Sequence, residues 1–144
     1  MNRNESLLQM ARGINADLGD YAKLKRLQQA QFDAALQHRP ADLTALAEAI
    51  SALTEVLEAR RQQRVELAAG LLPGGGEKAE RSMNDVFALL PESSYRMVGA
   101  WWQQLEELVR ECQVQNRRTC QLLMDQHEIM QRVLDGENDV YVQG

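Results

Sequence analysis

The chain has 144 residues, a net charge of −5 and 44% hydrophobic residues, which is typical of one folded, soluble domain. Only 5% of the residues are aromatic, and the abundance of Leu, Ala, Gln, Glu and Arg favours helices over strands. The acidic balance argues against nucleic-acid binding, which needs a clustered basic surface. No apolar run approaches the roughly 20 residues of a membrane span, and no signal-peptide pattern opens the sequence. We therefore expect a cytoplasmic protein without direct membrane insertion.

Two long helices are predicted in the first half of the chain, at about 5–38 and 42–71. Apolar residues of the first recur at steps of three or four, as one face of a helix requires. Pro40 interrupts this pattern and predicts a tight turn at His38–Ala41, which makes the two helices antiparallel neighbours. The second helix carries a heptad seam that we expect to lie in the core, formed by Leu46, Ile50, Leu53 and Leu57.

Arg60 and Arg64 continue the register of this seam and admit two interpretations. In the favoured one, they lie at a frayed end of the bundle with packed stems and with their charges in water. In the other, they are polar seam residues that specify register or partner.

The second half of the chain is divided by the run LLPGGGEK, which must end the second helix. Pro91 separates a short amphipathic helix from a long last helix, and Asp135–Gly136 is expected to end the latter. The fold class is thus an all-α, coiled-coil-like bundle with one helical domain at 1–134. Its remaining predicted segments are a flexible joint at 73–78, a short helix at 82–90, a long helix at 94–134 and a mobile acidic tail at 135–144.

The apolar stripe of the last helix is complete up to Cys112 and diluted beyond it. A diluted stripe that contains Met and Gln is typical of a surface that accepts a partner helix. Trp102 either packs on the short helix or is a contact residue. Beyond Cys112 the stripe of the last helix can continue in two ways, and the sequence leaves both open. One continuation is Asn116, Cys120, Leu123, His127, Met130 and Leu134, and the other is Gln115, Thr119, Leu122, Gln126, Ile129 and Val133. The predicted partner-binding residues are Trp102, Leu105, Leu108, Cys112, Asn116, Leu123 and Met130.

No constellation of residues indicates catalysis, so we expect no enzyme, no cofactor and no catalytic residue. Cys112, Cys120 and His127 share one helical face, but structural zinc prefers four ligands, usually in two close pairs. Buried or half-buried thiols are the favoured interpretation, and no metal site is predicted. The run PGGGEK is interpreted as a linker because a phosphate-binding loop would follow a strand.

Four segments carry a resemblance to a known family: QAQFDAALQHRPADLTAL, LEARRQQRVELAAGLLP, QNRRTCQLLMDQ and the terminal YVQG. Their order resembles the FlgN family, the flagellar export chaperones of type III secretion. The resemblance implies a cytoplasmic chaperone whose long last helix binds the C-terminal helices of hook–filament junction proteins (FlgK and FlgL type). It also implies that Tyr141 docks on the export gate (FlhA type).

A structural coiled-coil component, or scaffold, of a secretion or motor complex is the alternative function. A scaffold should have a complete seam along its last helix and should associate strongly with itself, whereas a chaperone has a seam that its client completes. The sequence leaves the client, the oligomeric state and the path of the last helix open.

Overall fold

The computed structural model describes the backbone of residues 2–72 and 83–143, and the side chains of these ranges up to Gly136. In these ranges the chain forms four helices and no strand, so the predicted all-α fold is confirmed. The helices are α1 (Arg3–Leu36), α2 (Pro40–Leu71), α3 (Met83–Phe87) and α4 (Glu92–Gln143). The predicted joint at 73–78 lies outside the described residues.

The start of α1 and its turn into α2 follow from local sequence chemistry. Asn2 caps α1: its side chain accepts from the Glu5 amide at 2.8 Å, and the Glu5 carboxylate accepts from the Asn2 amide at 3.3 Å. At the other end His38 has a φ of 52°, and the Arg39 amide donates to the Ala34 carbonyl at 3.0 Å. This left-handed cap reverses the chain, and Pro40 begins α2 at a position where its missing N–H costs nothing.

The three long helices run up, down and up. α2 is antiparallel to α1, whereas α4 is parallel to α1: Lys25 pairs with Glu111 at 2.7 Å, and Ala35 accepts from Gln126 at 2.9 Å. α1 packs against both α2 and α4, but no Cα atoms of α2 and α4 approach within 8 Å in the described residues. α1 is therefore the central element, and α2 and α4 meet only through long side chains.

The core lies mainly at the end of the bundle where α3 sits. Its apolar members come from α1, α3 and α4, with side chains of α2 packed against it. The predicted seam of α2 does face inward, but Leu57 is its one buried member, and the others stay half-buried because α4 does not cover them. The buried residues of the main cluster are Leu7, Met10, Ile14, Val86, Phe87, Val98 and Leu105.

The last helix is longer than the sequence predicted. Its expected end near Leu134 is wrong for the backbone, because α4 continues through Gly136 to Gln143. A glycine inside a helix costs roughly 1 kcal/mol relative to alanine, which weakens a helix without ending it, and no proline follows. Side chains beyond Gly136 are outside the described ones, so the predicted mobility of the tail stays a prediction. In the described residues no helix combines the length and the apolar character that crossing a bilayer requires.

Candidate partner-binding surface

The structure decides which of the two stripes of α4 faces α1. Beyond Cys112 the inward residues are Gln115, Thr119, Leu122 and Gln126, and Thr119 is fully buried. The other stripe, which begins with Asn116 and Cys120, is exposed. The inward stripe keeps the register of the part before it, because Val98, Leu105, Cys112, Thr119 and Gln126 follow one another at intervals of seven residues.

α4 extends well beyond the helix that covers it. The side-chain amide of Gln126 donates to the Ala35 carbonyl, and α1 ends one residue later at Leu36. α4 continues to Gln143, so about 26 Å of helix has no α1 beside it.

The first turns of this projecting segment are strongly apolar on one side. Ile129 is 60% exposed, Met130 59%, Val133 52% and Leu134 46%. Leu123, 38% exposed, begins the same side where α1 ends. Ile129 and Val133 continue the inward stripe, and the others continue the second stripe, so both alternatives merge into one broad apolar surface. We call Leu123, Ile129, Met130, Val133 and Leu134 the uncovered face.

The predicted partner-binding residues fall into three groups. Leu105 and Cys112 are buried against α1, so they hold α4 in the fold and are not accessible to a partner in this structure. Trp102 and Leu108 are half-buried. Asn116, Leu123 and Met130 are exposed, and Leu123 and Met130 belong to the uncovered face. The side chain of Tyr141 lies outside the described ones, so its role stays a prediction.

Sequence reasoning did not include Ile129, Val133 and Leu134 among the predicted contacts. The signal was present, because these residues end the two stripes that were left open. What could not be read from the sequence was the point at which α1 stops covering α4.

The two seam arginines of α2 bind a buried carboxylate on α1. Asp17, only 1% exposed, accepts from Arg60 at 2.6 Å and from Arg64 at 2.7 Å, and Arg60 also reaches Asp20 at 3.0 Å. The interpretation that these charges lie in water is therefore wrong. The arginines instead join α1 and α2 in one register, because a shift of either helix would leave a buried charge unpaired.

Arg64 also connects this network to the other two helices. Its guanidinium lies 5.2 Å from the ring centroid of Trp102, which packs edge-on against Phe87 at 6.0 Å. Of the two alternatives for Trp102, packing on the short helix is the observed one. All four helices are therefore joined at this end of the bundle.

Two titratable groups between the helices are shifted toward their neutral forms. Burial raises the pKa of the Tyr21 phenol, and the nearby Asp17 carboxylate adds to this shift. Burial likewise raises the pKa of the Cys112 thiol, which contacts the Tyr21 carbonyl at 3.7 Å. A neutral, buried thiol is a packing group at neutral pH.

The thiols do not meet His127. Cys112 is buried, whereas Cys120 and His127 are exposed. Within the described part of the chain, no three His, Cys, Asp or Glu side chains are grouped in a way that would hold a metal ion.

The α1–α4 interface is polar and incompletely paired toward the turn between α1 and α2, which we call the turn end of the bundle. Gln28 on α1 and Thr119 on α4 are buried, and neither the Gln28 Oε1 nor the Thr119 Oγ1 has a hydrogen-bond partner. Ala34 and Ala35 are the buried apolar residues of α1 at this level, and the half-buried Phe32 ring lies 4.9 Å from the guanidinium of Arg118 on α4. This part of the interface therefore holds α4 less tightly than the core at the α3 end.

No protein-family model, no curated protein and no solved structure matches the chain. The resemblance to the FlgN family rests on the sequence segments quoted above and stays a prediction.

Proposed function

We propose that this protein is a cytoplasmic export chaperone of the FlgN type that captures an amphipathic helix of its client on the uncovered face of α4. The observation that carries the proposal is the continuation of one helical face past the end of the helix that covers it. Ile129 and Val133 continue the stripe that packs on α1 earlier in α4, yet each is at least half exposed. A second helix laid against them would bury them as α1 buries Leu105 and Cys112.

The size of the surface fits one short helix. The uncovered face runs from Leu123 to Leu134, which is about 17 Å of helix and matches a partner helix of about 11 residues. Burying an apolar side chain contributes about 1.5–3 kcal/mol when burial is complete. The five apolar side chains of the uncovered face are 38–60% exposed, so each has about half of this contribution left to gain, and the apolar face of the partner helix adds its own contribution against the cost of association.

The identity of the client comes from the sequence resemblance. It implies the C-terminal helices of hook–filament junction proteins of the FlgK and FlgL type as clients. It also implies delivery to an export gate of the FlhA type through Tyr141. The chain has no catalytic role in this proposal.

Client capture is tested with the full chain and a FlgK- or FlgL-type protein of the same organism. Leu123→Glu and Met130→Glu should each weaken binding at least tenfold in calorimetry, because a charge would have to be buried against the client helix. Val56→Glu is the matched control, because Val56 is 48% exposed on α2, away from the uncovered face. All three variants should keep the circular dichroism of the parent chain.

Sedimentation of the same variants without a client separates the chaperone from the scaffold. If the uncovered face pairs with a second copy of the chain, sedimentation shows a strong oligomer that Met130→Glu dissociates. Unchanged client binding in both α4 variants would overturn the uncovered face as the docking site, whereas no client binding by the parent chain would overturn the chaperone proposal.

A further inference from the structure

We infer that the client helix that docks on the uncovered face continues into a groove between α2 and α4, so that α2 forms a second wall of the docking site. This inference rests on the proposed docking of a client helix. It is carried by the place that α3 takes in the bundle and by the stripes of α2 and α4 that lead away from α3. The groove, which we call the open corner, is bordered by Leu43, Ala47 and Ile50 on α2 and by Asn116, Cys120 and Leu123 on α4.

The four helices are arranged as the corners of a four-helix bundle, with α1 opposite α3 and α2 opposite α4. α1 and α3 each lie beside both α2 and α4, whereas in the described residues no Cα atoms approach within 8 Å across either diagonal. α3 has only five residues, about 8 Å of helix, and fills its corner at one end of the bundle. Toward the turn end no described helix lies in this corner, although α2 and α4 both continue along it.

One stripe of α4 faces α3 first and the open corner afterwards. Residues at seven-residue intervals share one side of a helix in a bundle. Trp102 packs edge-on against Phe87 of α3. Seven-residue steps from Trp102 lead to Val109, Asn116, Leu123 and Met130. Val109 is half-buried against the core that contains α3, whereas the later three are exposed, so the side of α4 that α3 covers continues uncovered into the uncovered face.

α2 presents a matching stripe from the other side of the corner. The guanidinium of Arg64 lies over the Trp102 ring. Seven-residue steps back along α2 from Arg64 lead to Leu57, Ile50 and Leu43, of which only Leu57 is buried. Because α2 and α4 are antiparallel, two steps from the Arg64–Trp102 contact bring Ile50 to the level of Asn116. A third step brings Leu43 to the level of Leu123.

The walls of the open corner define the chemistry of its occupant. Its six bordering residues are uncharged, and those on α2 are apolar. A charge buried against them would be costly, so the client helix presents uncharged, mainly apolar side chains to both walls. Its apolar face is broad, because it meets two helices at once. α3 meets the same condition: Val86 and Phe87 are neighbours in the sequence and point about 100° apart, yet each is only 1% exposed.

The open corner also lengthens the docking site. From Asn116 to Leu134 α4 rises by about 27 Å, which corresponds to a partner helix of about 18 residues. The uncovered face alone corresponds to about 11 residues. A client helix of the greater length therefore contacts α2 over its additional two turns.

Two exposed alanines of α2 test the second wall by calorimetry with the full chain and the FlgK- or FlgL-type protein. Ala47 is related by seven-residue steps to Ala68, which packs against the core that contains α3, whereas Ala52 lies on another side of α2. Ala47→Glu should weaken client binding about tenfold, because a carboxylate would have to be buried against the client helix. Ala52→Glu, the matched control, should change binding by less than about twofold, as is usual for an exposed site. Both variants should keep the melting temperature of the parent chain.

Cross-linking gives a readout that does not depend on affinity. Ala47→Cys and Ala52→Cys are each made in a Cys120→Ser background, which leaves the buried Cys112 as the other thiol. A benzophenone attached to the new thiol should cross-link the client protein from position 47 under light, and should not do so from position 52.

The outcomes separate the inference from the function on which it rests. Equal client binding by the two glutamate variants, still lost in Met130→Glu, would overturn the second wall and leave the uncovered face as the docking site. Cross-linking of position 47 to a second copy of the chain instead of the client would make the corner a dimer interface and would also overturn the inference. No client binding by the parent chain would overturn the proposed function itself.

Discussion

The two ends of the bundle differ in what they bury, although α1 and α4 run through both. At the α3 end, α1 and α4 bury large apolar side chains such as Ile14, Phe87 and Leu105, and the Asp17 network joins the helices. At the turn end, they bury small or polar residues, represented by Ala35 and Thr119.

This difference indicates that the two parts of α4 contribute unequally to the stability of the fold. Each large side chain buried at the α3 end contributes about 1.5–3 kcal/mol, whereas a buried alanine contributes far less and an unpaired hydroxyl costs stability. The α3 end therefore holds α4 in place. The segment beyond the turn end contributes little to folding, so its apolar face is available for the partner helix that we propose.

The largest expected effect is at Asp17. Asp17→Ala leaves Arg64 without its carboxylate and Arg60 with Asp20 alone, in positions where the arginine side chains are only 14% and 20% exposed. Removing one partner of a buried pair costs about 3–5 kcal/mol. Urea denaturation should show this loss in the free energy of unfolding.

An apolar replacement of the whole network is the informative control. Asp17→Leu with Arg60→Met and Arg64→Met should recover most of the lost stability, because no buried charge remains unpaired. A loss below about 0.5 kcal/mol in Asp17→Ala, which is ordinary for a surface site, would contradict the structural role of the network.

A smaller effect is expected from leucine-to-alanine substitutions at two positions of α4, one near each end of its contact with α1. Leu105→Ala should cost about 2–4 kcal/mol, because Leu105 is 3% exposed in the core at the α3 end. Leu123→Ala should cost under about 1 kcal/mol, because Leu123 is 38% exposed where α1 ends. Thermal unfolding of the two variants compares them directly. Similar losses would show that Leu123 packs on the bundle as tightly as Leu105 does.

Much of the bundle follows from local pattern. The predicted turn at His38–Ala41 is confirmed in existence because Pro40 permits few alternatives, although it spans residues 37–39 and Pro40 already begins α2. The inward face of α2 is confirmed because its heptad repeat is unbroken. These are signals that a short stretch of chain carries by itself.

The remaining features depend on tertiary packing. The amount of α2 that stays half-buried depends on how far α4 lies from it, and the pairing of Arg60 and Arg64 depends on where Asp17 falls along α1. The seven-residue spacing of Leu105 and Cys112 leads to Thr119, but the inward positions there are mostly polar, so the hydrophobic pattern did not decide between the two stripes of α4. The uncovered face was therefore only partly predicted, through Leu123 and Met130.

The smallest expected effect concerns the hydroxyl of Thr119 at the turn end. Thr119→Val replaces a buried hydroxyl that lacks a hydrogen-bond partner by a methyl group of similar size. Both residues are β-branched, so their helix propensities are similar and the hydroxyl is the main change. Burying an unpaired hydroxyl costs about 1 kcal/mol or more, so the variant should be more stable by about 1 kcal/mol. The melting temperature should rise by about 3 °C for a domain of this size.

Thr54→Val is the control, because the exposed Thr54 hydroxyl donates to the Ile50 carbonyl at 2.6 Å and its loss should change stability by less than about 0.5 kcal/mol. If Thr119→Val instead lowers the melting temperature, the hydroxyl has a partner in solution, and the turn end is better paired than its contrast with the α3 end implies.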